Sequence, residues 1–153
     1  SSGKDYDKFW IPSGGMRSPK TDNTSIAKKD KMGNYRSQND IQMDGISVWS
    51  FINSVTPKQI NKLLLRNNLK KVDVDKYIFH QASRMTLESI IRSMNIDKNQ
   101  TFNNLENIGN TVSASIPIAL KDAVDQKEIN RGSIVVLSGF GVGLSYGSIL
   151  MEY

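Results

Sequence analysis

Two side chains in this sequence are placed to do chemistry together. His80 is the only histidine among 153 residues and directly follows the apolar run Tyr77-Ile78-Phe79, while Asn110 follows Gly109 and precedes a helix-like segment. A strand that ends at His80 and a helix that begins beyond Asn110 can aim both groups into one cleft, because α/β sheets open their crevices at the carboxyl ends of strands. Imidazole exchanges protons near neutral pH and a carboxamide supplies two donor hydrogens. A third element, Gly139-Phe140-Gly141-Val142-Gly143, brings bare backbone N–H groups that can stabilise an oxyanion. Each feature also has a plainer use: a structural histidine, an N-cap at Asn110, and a tight hairpin turn at the glycines.

Composition narrows the classes that these residues can serve. A chain of this length buries roughly 70% of its unfolded surface, enough for one domain with a real core. With no cysteine, disulfides, thiolate metal sites and a cysteine nucleophile within these residues are all excluded. The sequence has no run of about 20 apolar residues to span a bilayer and no secretory leader pattern, so a soluble, cytoplasmic protein is expected. The formal charge of +5 and pI near 9.4 suit an acidic partner. Nucleic acid is not favoured, since the basic residues are not interleaved with aromatics, and no metal-ligand cluster is evident.

The elements that must position the site follow from periodicity. Residues 4–11 alternate weakly and predict one strand before Pro12, and the turn-rich residues 12–40 predict a long surface excursion. Val48, Phe51, Ile52, Val55, Ile60, Leu63 and Leu64 recur at helical intervals over 47–67, with an interruption expected at Pro57. Lys58, Lys62, Arg66 and Lys70 fall four apart, as a solvated face or a docking stripe for an acidic partner. A strand at 77–79 delivers His80. A helix at 83–94, a short extended piece at 101–102, a polar loop at 103–110 and a helix at 113–126 follow, with Pro117 tolerable only near the first turn. The β-branched run 133–138 reads as a buried strand, joined by the glycine-rich turn to a final strand at 144–152. Strands alternating with helices and a closing hairpin predict an α/β layered domain with a mixed sheet, over residues 43–153, entered through residues 1–42.

Taken together, His80-Gln81-Ala82, then Asn107-Ile108-Gly109-Asn110-Thr111 with Ser113-Ala114-Ser115-Ile116-Pro117, then Gly139 through Gly147 resemble the C-terminal half of 3-oxoacyl-acyl-carrier-protein synthase III and its thiolase-fold relatives. The resemblance runs from about Met43 to the end, with three motifs in the family's order and spacing. It implies the C-terminal half of an αβαβα condensing-enzyme fold. It also implies that His80 and Asn110 are two members of a Cys-His-Asn site for decarboxylative condensation of an acyl-CoA with a malonyl thioester, the cysteine lying on an N-terminal half.

Other positions carry over singly. The backbone at Gly141 and Val142 corresponds to the family's further oxyanion donor, and Phe140 to an aromatic beside the site. Trp49 matches an aromatic lining the pantetheine tunnel, whereas Ile46 and Ser83 stand where the family has asparagines that contact the cofactor arm. Arg84, displaced by one residue from the family's arginine, and Arg92 are the expected carrier-docking cations. The implied partners are coenzyme A or acyl-carrier-protein thioesters as substrates, no covalently bound cofactor, the missing half of the enzyme, and a homodimer when full length. The residues leave open two further readings. One is acyl transfer to a hydroxyl or amine without decarboxylation, with His80 as general base. The other is a non-catalytic assembly module. As a separate chain these residues are expected to be inactive in condensation.

Overall fold

The computed structural model describes residues 1–30 and 33–153, in two compact units that are taken separately. The first comprises Ser1–Ser50 with Gly141–Ser145. A strand was expected at its start; instead a 3-10 turn occupies Gly3–Lys8 and only β1 (Phe9–Trp10) is extended. The excursion that follows is not featureless. Strands β2 (Lys28–Lys29) and β3 (Tyr35–Arg36) pair antiparallel, and β4 (Gln42–Met43) returns to β1. Lys31 and Met32 of that excursion lie outside the described residues. With pieces this short, pinning falls to polar side chains. Asp40 accepts from the backbone and hydroxyl of Ser37, and Asp44 does the same for Ser47. Those hydrogen bonds hold both carboxyls below the usual carboxylate range.

The second unit comprises Phe51–Phe140 with Tyr146–Tyr153. Most of α1 (Gly45–Arg66) belongs to it, and this helix passes through Pro57 without the expected interruption. The reason lies in one stripe. Val48, Ile52, Thr56, Ile60 and Leu64 recur every four residues and all are buried. A buried aliphatic side chain is worth roughly 1.5–3 kcal/mol, so four of them outweigh the ~3 kcal/mol that an interior proline costs. Lys58, Lys62 and Arg66 lie exposed on the opposite side, and Lys70 is exposed beyond the helix end.

The sheet of this unit has the order β6-β5-β7-β8. Strand β5 (Lys76–Phe79) pairs parallel with both β6 (Thr101–Phe102) and β7 (Ile134–Gly141). Strand β8 (Ser145–Glu152) returns along β7, with Gly132 donating to Tyr153 and Tyr153 to Ser133. The sheet is therefore mixed, as patterned. All four residues of β5 are buried. Ile78 enters a cluster with Phe102, Ala119, Ala123, Ile129 and Val135, while Tyr77 and Phe79 point to the other face and stack at 5° between planes. Lys76 is buried because its ammonium has two partners, the Glu128 carboxylate and the Asn99 carbonyl, both at 2.6 Å.

Two further helices complete the site's scaffold. α2 (Arg84–Met94) is capped by Ser83, whose hydroxyl accepts from Thr86 N–H. α4 (Ser115–Asp125) carries Pro117 in its first turn, as required. The polar stretch before it is not all loop, since α3 occupies Leu105–Ile108. The glycine-rich segment also differs from expectation. Gly139–Gly141 continue β7, and the reversal is confined to Val142–Leu144, where Gly143 has φ +111°. A Cβ there would sit 2.9 Å from Ser145 Oγ, so only glycine fits without a shift.

Candidate active site

His80 leaves the carboxyl end of β5 with its N–H on Ser138 O of β7. Because β5 and β7 run parallel, Phe140 also lies toward this end of the sheet, and its ring meets the imidazole edge-on with centroids 5.6 Å apart. The imidazole is half-buried, and that burial lowers its pKa from 6.5. It is therefore neutral at pH 7. The unfolded chain protonates at 6.5 while the folded ring resists, so stability falls as pH drops from 6.5 toward the folded pKa. Denaturation midpoints measured from pH 7.5 to 5 should show this decline, and His80→Gln should flatten it. An unchanged slope in the variant would assign the decline to other groups. Asp40 and Asp44, with pKa values lowered from 3.8, lose their contribution only in a separate, more acid window.

Asn110 does not cap a helix. Its Oδ1 accepts from Val112 N–H at 2.9 Å and its Nδ2 donates to Ala82 O at 3.2 Å. The carboxamide carries a second donor hydrogen beyond the one given to Ala82. Gly109, ahead of it, has φ +76°, a conformation that glycine reaches without strain. His80 and Asn110 are tied into one ring of hydrogen bonds. Ala82 N–H donates to His80 O, Asn110 holds Ala82 O, Val112 N–H holds Asn110 Oδ1, and Ser115 Oγ joins Val112 O to His80 Nδ1 at 2.6 Å. The sequence motifs that contain His80 and Asn110 are thus joined by direct contacts.

Val112 carries strain within this ring. Its φ of +55° is left-handed, which a β-branched residue rarely adopts, and its side chain is 70% exposed. Such a residue costs of order 1–3 kcal/mol, against the 0.5–1 kcal/mol that glycine loses in backbone entropy. Val112→Gly is therefore expected to stabilise the fold by about 1 kcal/mol, read as a higher denaturation midpoint. A lower midpoint would mean that the valine side chain makes contacts worth more than the strain.

The remaining site candidates are placed as follows. Ser83 uses its hydroxyl on the first turn of α2. Arg84 reaches Glu106 at 3.7 Å with both side chains largely exposed, and Arg92 is exposed on the last turn of α2. In the first unit, Ile46 is exposed and lines a cavity of about 600 Å³ together with Ile26, Arg36 and Met43, and Trp49 lies one turn further along α1. Gly141 ends β7, and Val142 is exposed in the turn. Two residues carried no assignment in the sequence: Ser115, 2% exposed and against the imidazole, and Gln81, fully buried, whose backbone N–H donates to Ser115 Oγ at 3.3 Å. The signal was present, since a serine within the second motif opens the helix that follows the asparagine. Among the described residues no group of three or more His, Cys, Asp or Glu is arranged to hold a metal, and no helix is long and apolar enough to cross a membrane.

Comparison with known proteins agrees on one family. Residues 64–153 match the family profile of the 3-oxoacyl-[acyl-carrier-protein] synthase III C terminal region. The beta-ketoacyl-[acyl-carrier-protein] synthase III of Pyropia yezoensis is 39% identical over 121 residues, covering 79% of this chain and 36% of that protein. That of Porphyra umbilicalis is 41% identical over 113 residues, covering 74% of this chain and 35% of that protein. A crystal structure of a 3-oxoacyl-(acyl-carrier-protein) synthase III superposes on the whole chain with TM-score 0.96 at 28% identity, over 45% of its own length. The synthase from Burkholderia xenovorans LB400 covers 99% of the chain with TM-score 0.85 at 26% identity, over 42% of its length. The chain thus spans less than half the length of the relatives it matches.

Proposed function

The chain belongs to the 3-oxoacyl-[acyl-carrier-protein] synthase III family, and from that premise we propose that it is the C-terminal half of a decarboxylating condensing enzyme. In this reading a cysteine on an N-terminal half takes the acyl group of an acyl-CoA as a thioester and releases the CoA thiol. His80 and Asn110 hold the carbonyl oxygen of a malonyl thioester. The malonyl carboxylate leaves as carbon dioxide, its bond electrons form an enolate, and the enolate carbon attacks the acyl thioester. A carbon–carbon bond forms and the cysteine thiolate is released. The 153 residues hold no cysteine, so the chain by itself is inactive in condensation.

The observation that supports this most is the hydrogen-bond ring that joins His80 to Asn110 through Ala82, Val112 and Ser115. It restrains two polar groups that both suit an oxyanion, and one such donor is worth about 2.7–4 kcal/mol in the transition state. A neutral imidazole and a carboxamide add no charge, so the reacting carboxylate is not trapped by an ion pair. The backbone at Gly141–Val142 is proposed as a further donor. Trp49 and Ile46 are proposed as contacts for the pantetheine arm, and Arg84 and Arg92 as cations for an acidic carrier. The complete enzyme is proposed to be a homodimer that uses coenzyme A or carrier-protein thioesters.

Acyl transfer without decarboxylation is the second reading. It draws support from the lowered pKa of His80, which keeps a neutral base available. The deciding experiment supplies the full-length protein with an acyl-CoA and a carboxyl-labelled malonyl thioester. Release of labelled carbon dioxide together with a 3-oxoacyl product supports condensation. Acyl transfer to a hydroxyl or amine without that release would replace it.

A further inference from the structure

Ser115 is buried against the imidazole and is shared by three polar neighbours. Its Oγ lies 2.6 Å from His80 Nδ1, 2.9 Å from Val112 O and 3.3 Å from Gln81 N. A serine hydroxyl has one hydrogen to give and two lone pairs to accept with. Gln81 N–H can only donate, so it takes one lone pair. Val112 O can only accept. If the Ser115 hydrogen goes to Val112 O, the second lone pair faces Nδ1 and is satisfied when Nδ1 carries a hydrogen. All three contacts are then hydrogen bonds. If the hydrogen goes to Nδ1 instead, one bond is lost and two acceptor oxygens face each other at 2.9 Å, a repulsive contact in a buried place.

We infer that Ser115 is a positioning residue for His80: its hydroxyl holds the neutral imidazole as the Nδ1–H tautomer and leaves the lone pair on Nε2. This tautomer is the reverse of the one that free histidine prefers. Losing one hydrogen bond for an acceptor clash favours it by a population ratio on the order of ten to one or more. The resting ring therefore accepts a proton at Nε2, as loading of a thiol with an acyl group requires. To donate to a substrate oxygen from Nε2, the neutral ring must exchange tautomers. Nδ1 gives its proton to water, Nε2 takes one from water, and the Ser115 hydroxyl turns from Val112 O to Nδ1. Ser115 thus biases the site between proton acceptance and oxygen stabilisation, although it touches neither through Nε2.

The test is the nitrogen spectrum of the ring. The protein that carries this chain is labelled with 15N-histidine, and the His80 signals are identified by their loss in His80→Gln. Long-range proton–nitrogen correlation at pH 8 is expected to show a protonated Nδ1 and a bare Nε2. In Ser115→Ala the population should move at least about tenfold toward Nε2–H, whereas Ser115→Thr, which keeps the hydroxyl, should retain the wild-type pattern. If the alanine variant does not fold, Ser115→Cys, whose thiol is a weak partner, makes the same comparison. A wild-type ring that is mainly Nε2–H overturns the inference, as does a variant lacking the hydroxyl with an unchanged ring. The inference rests on His80 being the working imidazole of the proposed site. Its spectrum needs no substrate, so a failed tautomer prediction and an absence of carbon dioxide release are distinguishable results.

Discussion

In the full-length protein that carries this chain, His80→Ala is expected to lower the turnover of malonyl decarboxylation by about 10²–10⁴-fold. That range is what a positioned proton-transfer group contributes, and loss of one donor on a developing oxyanion alone accounts for 10²–10³ of it. Folding should survive the change, for two reasons. The ring is half-buried at the end of β5 and not within the Ile78 cluster, and Ser115 keeps Val112 O as a partner when Nδ1 is gone. Labelled carbon dioxide release at saturating malonyl thioester is the measurement, with the denaturation midpoint as control. A loss smaller than tenfold, in a variant that folds normally, would remove His80 from the chemistry. The interpretation would then revert to an assembly role for the chain.

Ile78→Ala should produce the largest loss of stability among conservative substitutions near the site. Ile78 is fully buried between β6, β7 and α4, in contact with the cluster of Phe102, Ala119, Ala123, Ile129 and Val135. Its truncation removes transfer energy and leaves a cavity, together about 2–5 kcal/mol. The alanines Ala119 and Ala123 line the helix side of this cluster. For a fold of this size each kcal/mol shifts the midpoint by roughly 2–4 °C. Lys62→Ala, on the exposed side of α1, should stay within about 0.5 kcal/mol. Chemical denaturation of both variants checks the contrast. A loss at Ile78 no larger than at Lys62 would mean that the β5 face is not the core.

Much of this architecture was readable from order and periodicity. The apolar run before His80, the β-branched run of β7 and the three- and four-residue spacing along α1 locate strands and a helix, because each element must bury a face. The motifs likewise carried the family. Pro57 misled because a local rule about a missing N–H was weighed without the stripe of buried side chains on either side of it. The polar residues 103–110 concealed α3, whose single turn is too short for a periodic pattern to register. Gly139–Gly141 read as a turn because glycine permits one, while pairing along the sheet kept them extended.

By itself, then, the sequence determined which groups are on hand: one imidazole, an asparagine within a family motif and no thiol, on a scaffold of alternating strands and helices. Only the tertiary structure decided how they are held. Asn110 accepts from Val112 N–H and ties Ala82 O in place of capping a helix, and Ser115, without an assigned role in the sequence, stands against Nδ1 of His80. The physical reason is range. Propensity and burial patterns act over a few neighbours along the chain, whereas the hydrogen bond from His80 to Ser115 spans 35 positions. It exists only once β5 and α4 have been brought together around the buried Ile78.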